Sequence, residues 1–226
     1  MSYFVTGTDT GVGKTLVSCA LLQAFAAQDK TTAGFKPVAA GCDDDDHNED
    51  AKCLRTASTV LTTYGQVNPY CFPHAIAPHL AAIHAGVRIE FARITQSYKE
   101  LSALADEVVV EGVGGFSVPL NEDQDSADLA QQLGLPVILV VGMRLGCLNH
   151  ALLTQRAIAD YQLKCVAWVA NVLDANMPAL QENIAALRER IDAPLLGIIP
   201  FQAQPDAQVA AQYLDLSLLE RKMLDE

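Results

Sequence analysis

The sequence predicts an open, doubly wound α/β sheet, mostly parallel and flanked by helices. Three observations carry that expectation. Short β-branched runs alternate with longer helical patterns from end to end, the runs are apolar on both faces, and the first run opens into a glycine-rich turn followed by a helix. A strand that is apolar throughout needs cover on both sides, which helices packed above and below a parallel sheet supply.

Taken in order, strands are expected at Tyr3 to Thr6, Thr31 to Phe35, Val108 to Val110, Pro136 to Val141, Lys164 to Ala170 and Leu195 to Ile199. Helices are expected at Lys14 to Gln28, Glu49 to Ser58, Glu90 to Leu104, Ala127 to Leu133, Asn149 to Tyr161 and Pro178 to Arg190, with a last one after Pro205. Pro69, Pro73 and Pro78 interrupt the pattern, so the stretch after the second helix reads as a loop over the sheet edge. Tyr213 to Glu226 mixes Leu214, Leu216, Leu218, Leu219 and Leu224 with Asp215, Glu220, Asp225 and Glu226 and reads as a docking helix. Neither a repeat nor a boundary is visible, and residues 1–226 read as one domain.

The composition suits a chain that buries its own core: 50% of the 226 residues are hydrophobic and 19% charged. A formal net charge of −12 excludes nucleic acid and anionic membrane as partners, because both are held by Lys and Arg. There is no apolar run of the roughly 18 residues needed to span a bilayer, and the N-terminus enters a strand at once, so a cytoplasmic location is expected. The six cysteines, Cys19, Cys42, Cys53, Cys71, Cys147 and Cys165, form no C-x-x-C pair and read as reduced thiols. His74, His79 and His84 are spaced so that they do not share a helical face, which argues against zinc.

Gly7-Thr8-Asp9-Thr10-Gly11-Val12-Gly13-Lys14-Thr15, between a strand and a helix, is a phosphate-binding loop one residue longer than the generic pattern. Its glycines let backbone N–H groups turn toward phosphate oxygens at a helix start. Lys14 adds a cation near the β and γ phosphates, and Thr15 offers a hydroxyl to Mg²⁺. Nucleotide chemistry also needs a carboxylate near the metal. Val108-Val109-Val110 ends in Glu111, beside Gly112, Gly114 and Gly115, which puts that charge at the carboxyl edge of the sheet. The acidic stretch Asp43 to Asp46, His47, Asn48, Glu49, Asp50 is open to several readings: a solvated loop, a helix cap at Asn48 or Asp50, or a metal ligand at Asp50.

With Gly34-Phe35-Lys36-Pro37-Val38-Ala39, Val110-Glu111-Gly112-Val113-Gly114-Gly115, Leu145-Gly146-Cys147-Leu148-Asn149-His150, Trp168-Val169-Ala170-Asn171 and Pro194-Leu195-Leu196-Gly197-Ile198-Ile199-Pro200, the chain resembles the dethiobiotin synthetase family from about residue 3 to 201. The resemblance implies a P-loop NTPase fold and ring closure of 7,8-diaminopelargonic acid with CO2 and MgATP. The products are dethiobiotin, ADP and phosphate, formed through a carbamate and a carbamic-phosphoric anhydride. It implies catalytic roles for Lys36 and Lys14, and Mg²⁺ held by Thr15, Asp50 and Glu111. It implies nucleotide contacts from Gly11, Val12, Gly13, Lys14, Thr15, Asp50, Glu111, Gly112, Val113, Gly114, Asn171, Val172, Pro200, Phe201 and Gln202, with Asn171 reading adenine. Substrate contacts are implied for Thr10, Lys36, Ala40, Gly146, Cys147 and Asn149, the last three gripping the substrate carboxylate at a helix start across a homodimer interface. Two departures stand out: Ala40 where the family often carries Ser, worth about 1 kcal/mol of one hydrogen bond, and the acidity of Asp43 to Asp46.

Two rival readings are weaker. A partitioning or membrane-positioning ATPase places a signature lysine five residues before the loop lysine, where this chain has Asp9, and needs a basic surface. A cobyrinate or cobyrate amidotransferase carries a glutaminase domain for which this chain has no room.

Overall fold

A computed structural model describes residues 1–43 and 47–219. In chain order its elements are β1 (Ser2–Gly7), α1 (Lys14–Ala26), β2 (Thr32–Phe35), β3 (Val38–Ala40), α2 (Glu49–Ala57), α3 (Tyr64–Val67), β4 (Tyr70–Phe72), α4 (Pro78–His84), α5 (Phe91–Ser102), β5 (Glu107–Glu111), α6 (Ser126–Leu133), β6 (Val137–Met143), α7 (Cys147–Asp160), β7 (Cys165–Val172), α8 (Leu180–Arg188), β8 (Leu195–Ile199) and α9 (Ala207–Ala211). Six strands form a sheet in the order β2-β5-β1-β6-β7-β8, and every neighbouring pair is parallel. The expected doubly wound α/β architecture is what forms.

Side-chain alternation divides the core between the two faces of the sheet. Tyr3, Val5, Val109, Ile138, Val140 and Val169 pack with Val17, Leu21 and Leu22 of α1, Leu54 of α2 and Ala210 of α9. Phe4, Val108 and Val110 face the other way, toward Ile94 and Leu101 of α5 and Leu129 of α6. Leu139, Val141 and Trp168 meet Ala151 of α7 and Ile184 and Leu187 of α8. Both faces are therefore covered, which explains why the strand runs lack a polar side. From β1 the chain moves to β2 on one flank, and from β5 it jumps past β1 to β6 on the other, so the strand order reverses at β1. Ligands bind at the carboxyl ends of the strands at such a switch point.

The stretch read as a loop is more ordered than expected. Val38–Ala40 and Tyr70–Phe72 form a small parallel sheet, with Ala39 opposite Cys71 and Ala40 opposite Phe72. Pro78 opens α4 at its first turn, where proline's missing N–H costs nothing. Three-residue strands carry too little periodicity to be visible in a sequence. Helix α7 begins at Cys147, two residues earlier than expected, because Gly146 takes the left-handed conformation that turns the chain into it (φ 92°).

The expectation of six reduced thiols is corrected. Cys42, just past β3, and Cys71 in β4 form a disulfide with a Cα–Cα distance of 6.5 Å, while Cys19, Cys53, Cys147 and Cys165 are thiols. Pairing of β3 with β4 brings the two together over 29 residues of chain, a proximity no local spacing reveals. Asp44, Asp45 and Asp46 of the acidic loop, and residues 220–226 of the expected docking helix, lie outside the described residues. Among the described residues no helix is long and apolar enough to cross a membrane.

Candidate active site

The turn after β1 enters α1 through Gly13, which has φ 92° and leaves the helix start without a side-chain cap. A Cβ at Gly13 would lie 2.2 Å from Asn171 Nδ2, so glycine is required both by the backbone and by this approach. Asn171, at the end of β7 and 4% exposed, donates from Nδ2 to the Val12 carbonyl at 2.9 Å. The expected adenine-reading side chain thus stands against the loop. Pro200, Phe201 and Gln202 follow β8 directly, and Val172 ends β7. Gln202 Oε1 accepts from Asp206 N–H at 2.7 Å, while its buried Nε2 has no partner among the described residues.

Lys36 directly follows β2 and is 3% exposed. Its backbone is held from both sides, by Lys36 N–H donating to Val67 O at 2.8 Å and by Asn68 Nδ2 donating to Lys36 O at 2.6 Å. Its Nζ donates to Glu111 Oε1 at 2.6 Å, Asp50 Oδ2 at 3.0 Å and Gly112 O at 3.3 Å. Thr15 Oγ1 lies 2.8 Å from Asp50 Oδ1 and 3.0 Å from Glu111 Oε1; its single proton serves one of them at a time. Asp50 reaches this cluster because Asn48 caps α2, its side chain accepting from Asp50 N–H at 3.1 Å and Ala51 N–H at 3.4 Å. Of the readings left open by the sequence, Asn48 is the cap, and Asp50 is directed inward.

Burial works against the Lys36 ammonium, but the carboxylates of Glu111 and Asp50 outweigh it and hold its pKa above the ordinary lysine value. Burial likewise opposes the Asp50 charge, and Lys36 and Thr15 together bring its pKa below the usual carboxylate value. Lys14 behaves differently. Burial first, then repulsion from Lys36, bring it down to about 8, against the pull of Glu111, Asp50 and Asp9. Its Nζ donates to the backbone carbonyls of Asp9, at 3.0 Å, and Gly114.

Glu111 is 1% exposed, and its Oε2 is buried with no partner among the described residues. An uncompensated buried carboxylate oxygen is costly, and here it adjoins a second carboxylate and a hydroxyl, the hard oxygen donors that Mg²⁺ takes. These three side chains fit that ion.

A cleft of about 810 Å³ gathers Thr10, Gly11, Gly13, Lys14, Thr15, Lys36, Ala40, Asp50, Glu111, Val113 and Gly114 of the expected set. The sequence reading missed the wall made by Ala75, Ile76, Ala77 and Pro78, which also lines it; small apolar residues in a proline-broken stretch give no chemical signal. A second cavity of about 640 Å³ shares Thr15 and Asp50 with the cleft and runs along α1 past Leu16, Cys19 and Gln23 to Pro205 and Ala207. Gly146, Cys147 and Asn149 do not line the cleft, and stand at the uncapped start of α7.

A family model described as an AAA domain matches residues 1–209. The chain is 52% identical over 215 residues to the ATP-dependent dethiobiotin synthetase BioD of Nitrosospira multiformis, covering 95% of each. It is 53% identical over 214 residues to that of Aromatoleum aromaticum, covering 93% of this chain and 95% of the relative. Among solved structures, the MinD cell division protein of Aquifex aeolicus superposes with a TM-score of 0.55 at 13% identity, covering 100% of this chain and 97% of MinD. A ParA family ATPase from Chlorobium tepidum does so at 0.54 and 15%, covering 97% and 90%. At those identities the likeness shows the fold alone.

Proposed function

The chain belongs to the ATP-dependent dethiobiotin synthetase family, and on that premise we propose that residues 1–226 act as one synthetase unit. It closes the cyclic urea of dethiobiotin from 7,8-diaminopelargonic acid, CO2 and MgATP. The observation that carries the reading is the cluster in the cleft of buried Lys36 and Glu111 with partly exposed Asp50 and Thr15, with one buried Glu111 oxygen unpaired among the described residues.

One amine of the substrate adds to CO2 and loses its proton, giving a carbamate. A carbamate oxygen then attacks the γ-phosphorus while the bond to the ADP oxygen breaks. The second amine, once its ammonium form has given a proton to solvent, attacks the carbamyl carbon, phosphate leaves, and the nitrogen releases one further proton. Lys36, poised over the floor of the cleft, stabilises the negative charge shared between carbamate and γ-phosphoryl oxygens. Lys14 swings from the Asp9 and Gly114 carbonyls to the β and γ phosphates, whose charge restores its full protonation. Thr15, Asp50 and Glu111 would hold Mg²⁺, which supplies neutralisation of phosphate charge. Gly11, Gly13, Lys14 and Thr15, with Val113 and Gly114, line the cleft where the phosphates would lie, and Val12 and Gly112 would reach them through backbone groups alone. Adenine would lie at the ends of β7 and β8, with Asn171 and Val172 on one side and Pro200, Phe201 and Gln202 on the other, where Gln202 Nε2, unpaired among the described residues, would supply a further donor. Thr10 and Ala40 flank the carbamate, and Gly146, Cys147 and Asn149 of a second copy hold the substrate carboxylate, so the working unit is a homodimer in the cytoplasm.

The test is an endpoint assay with purified protein, 7,8-diaminopelargonic acid, bicarbonate and MgATP. Dethiobiotin is expected by mass spectrometry in equal amount to ADP. ADP released without dethiobiotin would overturn the reading and leave an ATPase site serving another acceptor.

A further inference from the structure

Five charged side chains line the cleft among the described residues: Asp9, Lys14, Lys36, Asp50 and Glu111. Asp50 and Glu111 are both engaged by Lys36 and Thr15. Asp9 is the one lining carboxylate, among the described residues, that bonds neither of them. Its Oδ1 accepts from Thr10 N–H at 2.7 Å, and its Oδ2 accepts from Arg144 Nη2 at 2.5 Å. Both partners of that ion pair are nearly half exposed, 46% for Asp9 and 44% for Arg144.

Resting on the reading above, the substrate is a vicinal diamine, and its unreacted amine is a cation near neutral pH. A cleft that must hold this cation close to Lys14 and Lys36 needs a carboxylate to which neither lysine is hydrogen-bonded. The cleft supplies one. We propose that Asp9 is the group that binds the second amine of the diamine, with Arg144 holding the carboxylate at the mouth of the cleft until the substrate amine displaces it. The exchange is cheap, because a half-exposed surface ion pair contributes little, and the substrate ammonium replaces one charge-assisted hydrogen bond to Oδ2 with another. Oδ1 stays on Thr10 N–H, so the same side chain fixes the loop geometry while Oδ2 changes partner.

The inference predicts selectivity between amines. In equilibrium titrations of the full chain, Asp9→Asn should weaken binding of 7,8-diaminopelargonic acid at least tenfold. It should weaken a monoamine analogue of the same chain length, lacking the second amine, less than twofold. Affinity for ATP should stay within about twofold, and KM for the diamine should rise more than kcat falls. Arg144→Ala, which frees Oδ2, should leave diamine binding equal or tighter. If Asp9 serves only to shape the phosphate loop, Asp9→Asn weakens ATP, diamine and monoamine together, which overturns the proposal. Unchanged diamine binding in Asp9→Asn overturns it too. In either case wild-type dethiobiotin formation reports separately on the reading of overall function.

Discussion

The charge at Lys36 decides how this site behaves before any ligand arrives. Its partner Glu111 is fully buried at the side chain and Lys36 is 4% exposed there, so neither charge has water to fall back on. Removing the lysine leaves an unpaired buried carboxylate, which in other proteins costs about 3–5 kcal/mol. Lys36→Ala should therefore lose product formation by at least about 100-fold, the scale of one lost charge-stabilising contact. It should also lower the melting temperature by about 10 °C for a chain of this size. Added MgATP should restore part of that loss by binding the folded state and neutralising Glu111. Thermal melts with and without MgATP, alongside the endpoint assay, check both arms. Normal product yield would remove Lys36 from the mechanism, and an unchanged melting temperature would mean that the Lys36–Glu111 pair adds nothing to stability. The sequence alone points to the residue type and place of Lys14, Thr15 and Glu111, because each sits in a motif with a mechanism. It leaves Asp50 open, because a carboxylate in an acidic run gains meaning only when Asn48, two residues earlier, caps the helix and turns Asp50 inward.

At the scale of elements, the six strands of the main sheet are legible because parallel strands covered on both faces are apolar over most of their length. The pair β3 and β4 is not, since three residues around Pro37 and before Pro73 offer no period to read. That small sheet matters because it carries one side of the cleft, through Ala39 and Ala40, and bridges to the Asp43 region through the Cys42–Cys71 disulfide. A link closing 29 residues stabilises by about 3–4 kcal/mol on chain-entropy grounds. Two readouts follow from its presence. Thiol titration of the denatured, unreduced protein should find four thiols, from Cys19, Cys53, Cys147 and Cys165. After reduction it should find all six cysteines. Cys71→Ser should melt about 10 °C lower than the oxidised parent, and the difference should shrink when the parent is reduced. Six thiols without reductant would mean that the pair is merely adjacent in solution.

The whole molecule poses a different question: what completes the proposed substrate site. The uncapped start of α7 does not line the cleft of its own chain, and the proposed role of Gly146, Cys147 and Asn149 is that a second copy presents them. Leu145, immediately before that helix start, is 99% exposed, and Leu153 along α7 is 54% exposed. Burying a leucine of this kind is worth about 1.5–3 kcal/mol, and a symmetric contact counts each one twice. Analytical ultracentrifugation of the parent is expected to show a dimer at micromolar concentration. Leu145→Asp with Leu153→Asp, which replaces both apolar contacts with charge in a chain already at −12, should sediment as a monomer. That monomer should bind ATP as the parent does, because Gly11 to Thr15, Asn171 and Glu111 all come from one chain. It should lose most dethiobiotin formation, through a higher KM for the diamine. A monomeric variant with parental turnover would place the carboxylate-binding group within the same chain, and would turn attention from α7 to the Ala75 to Pro78 wall of the cleft.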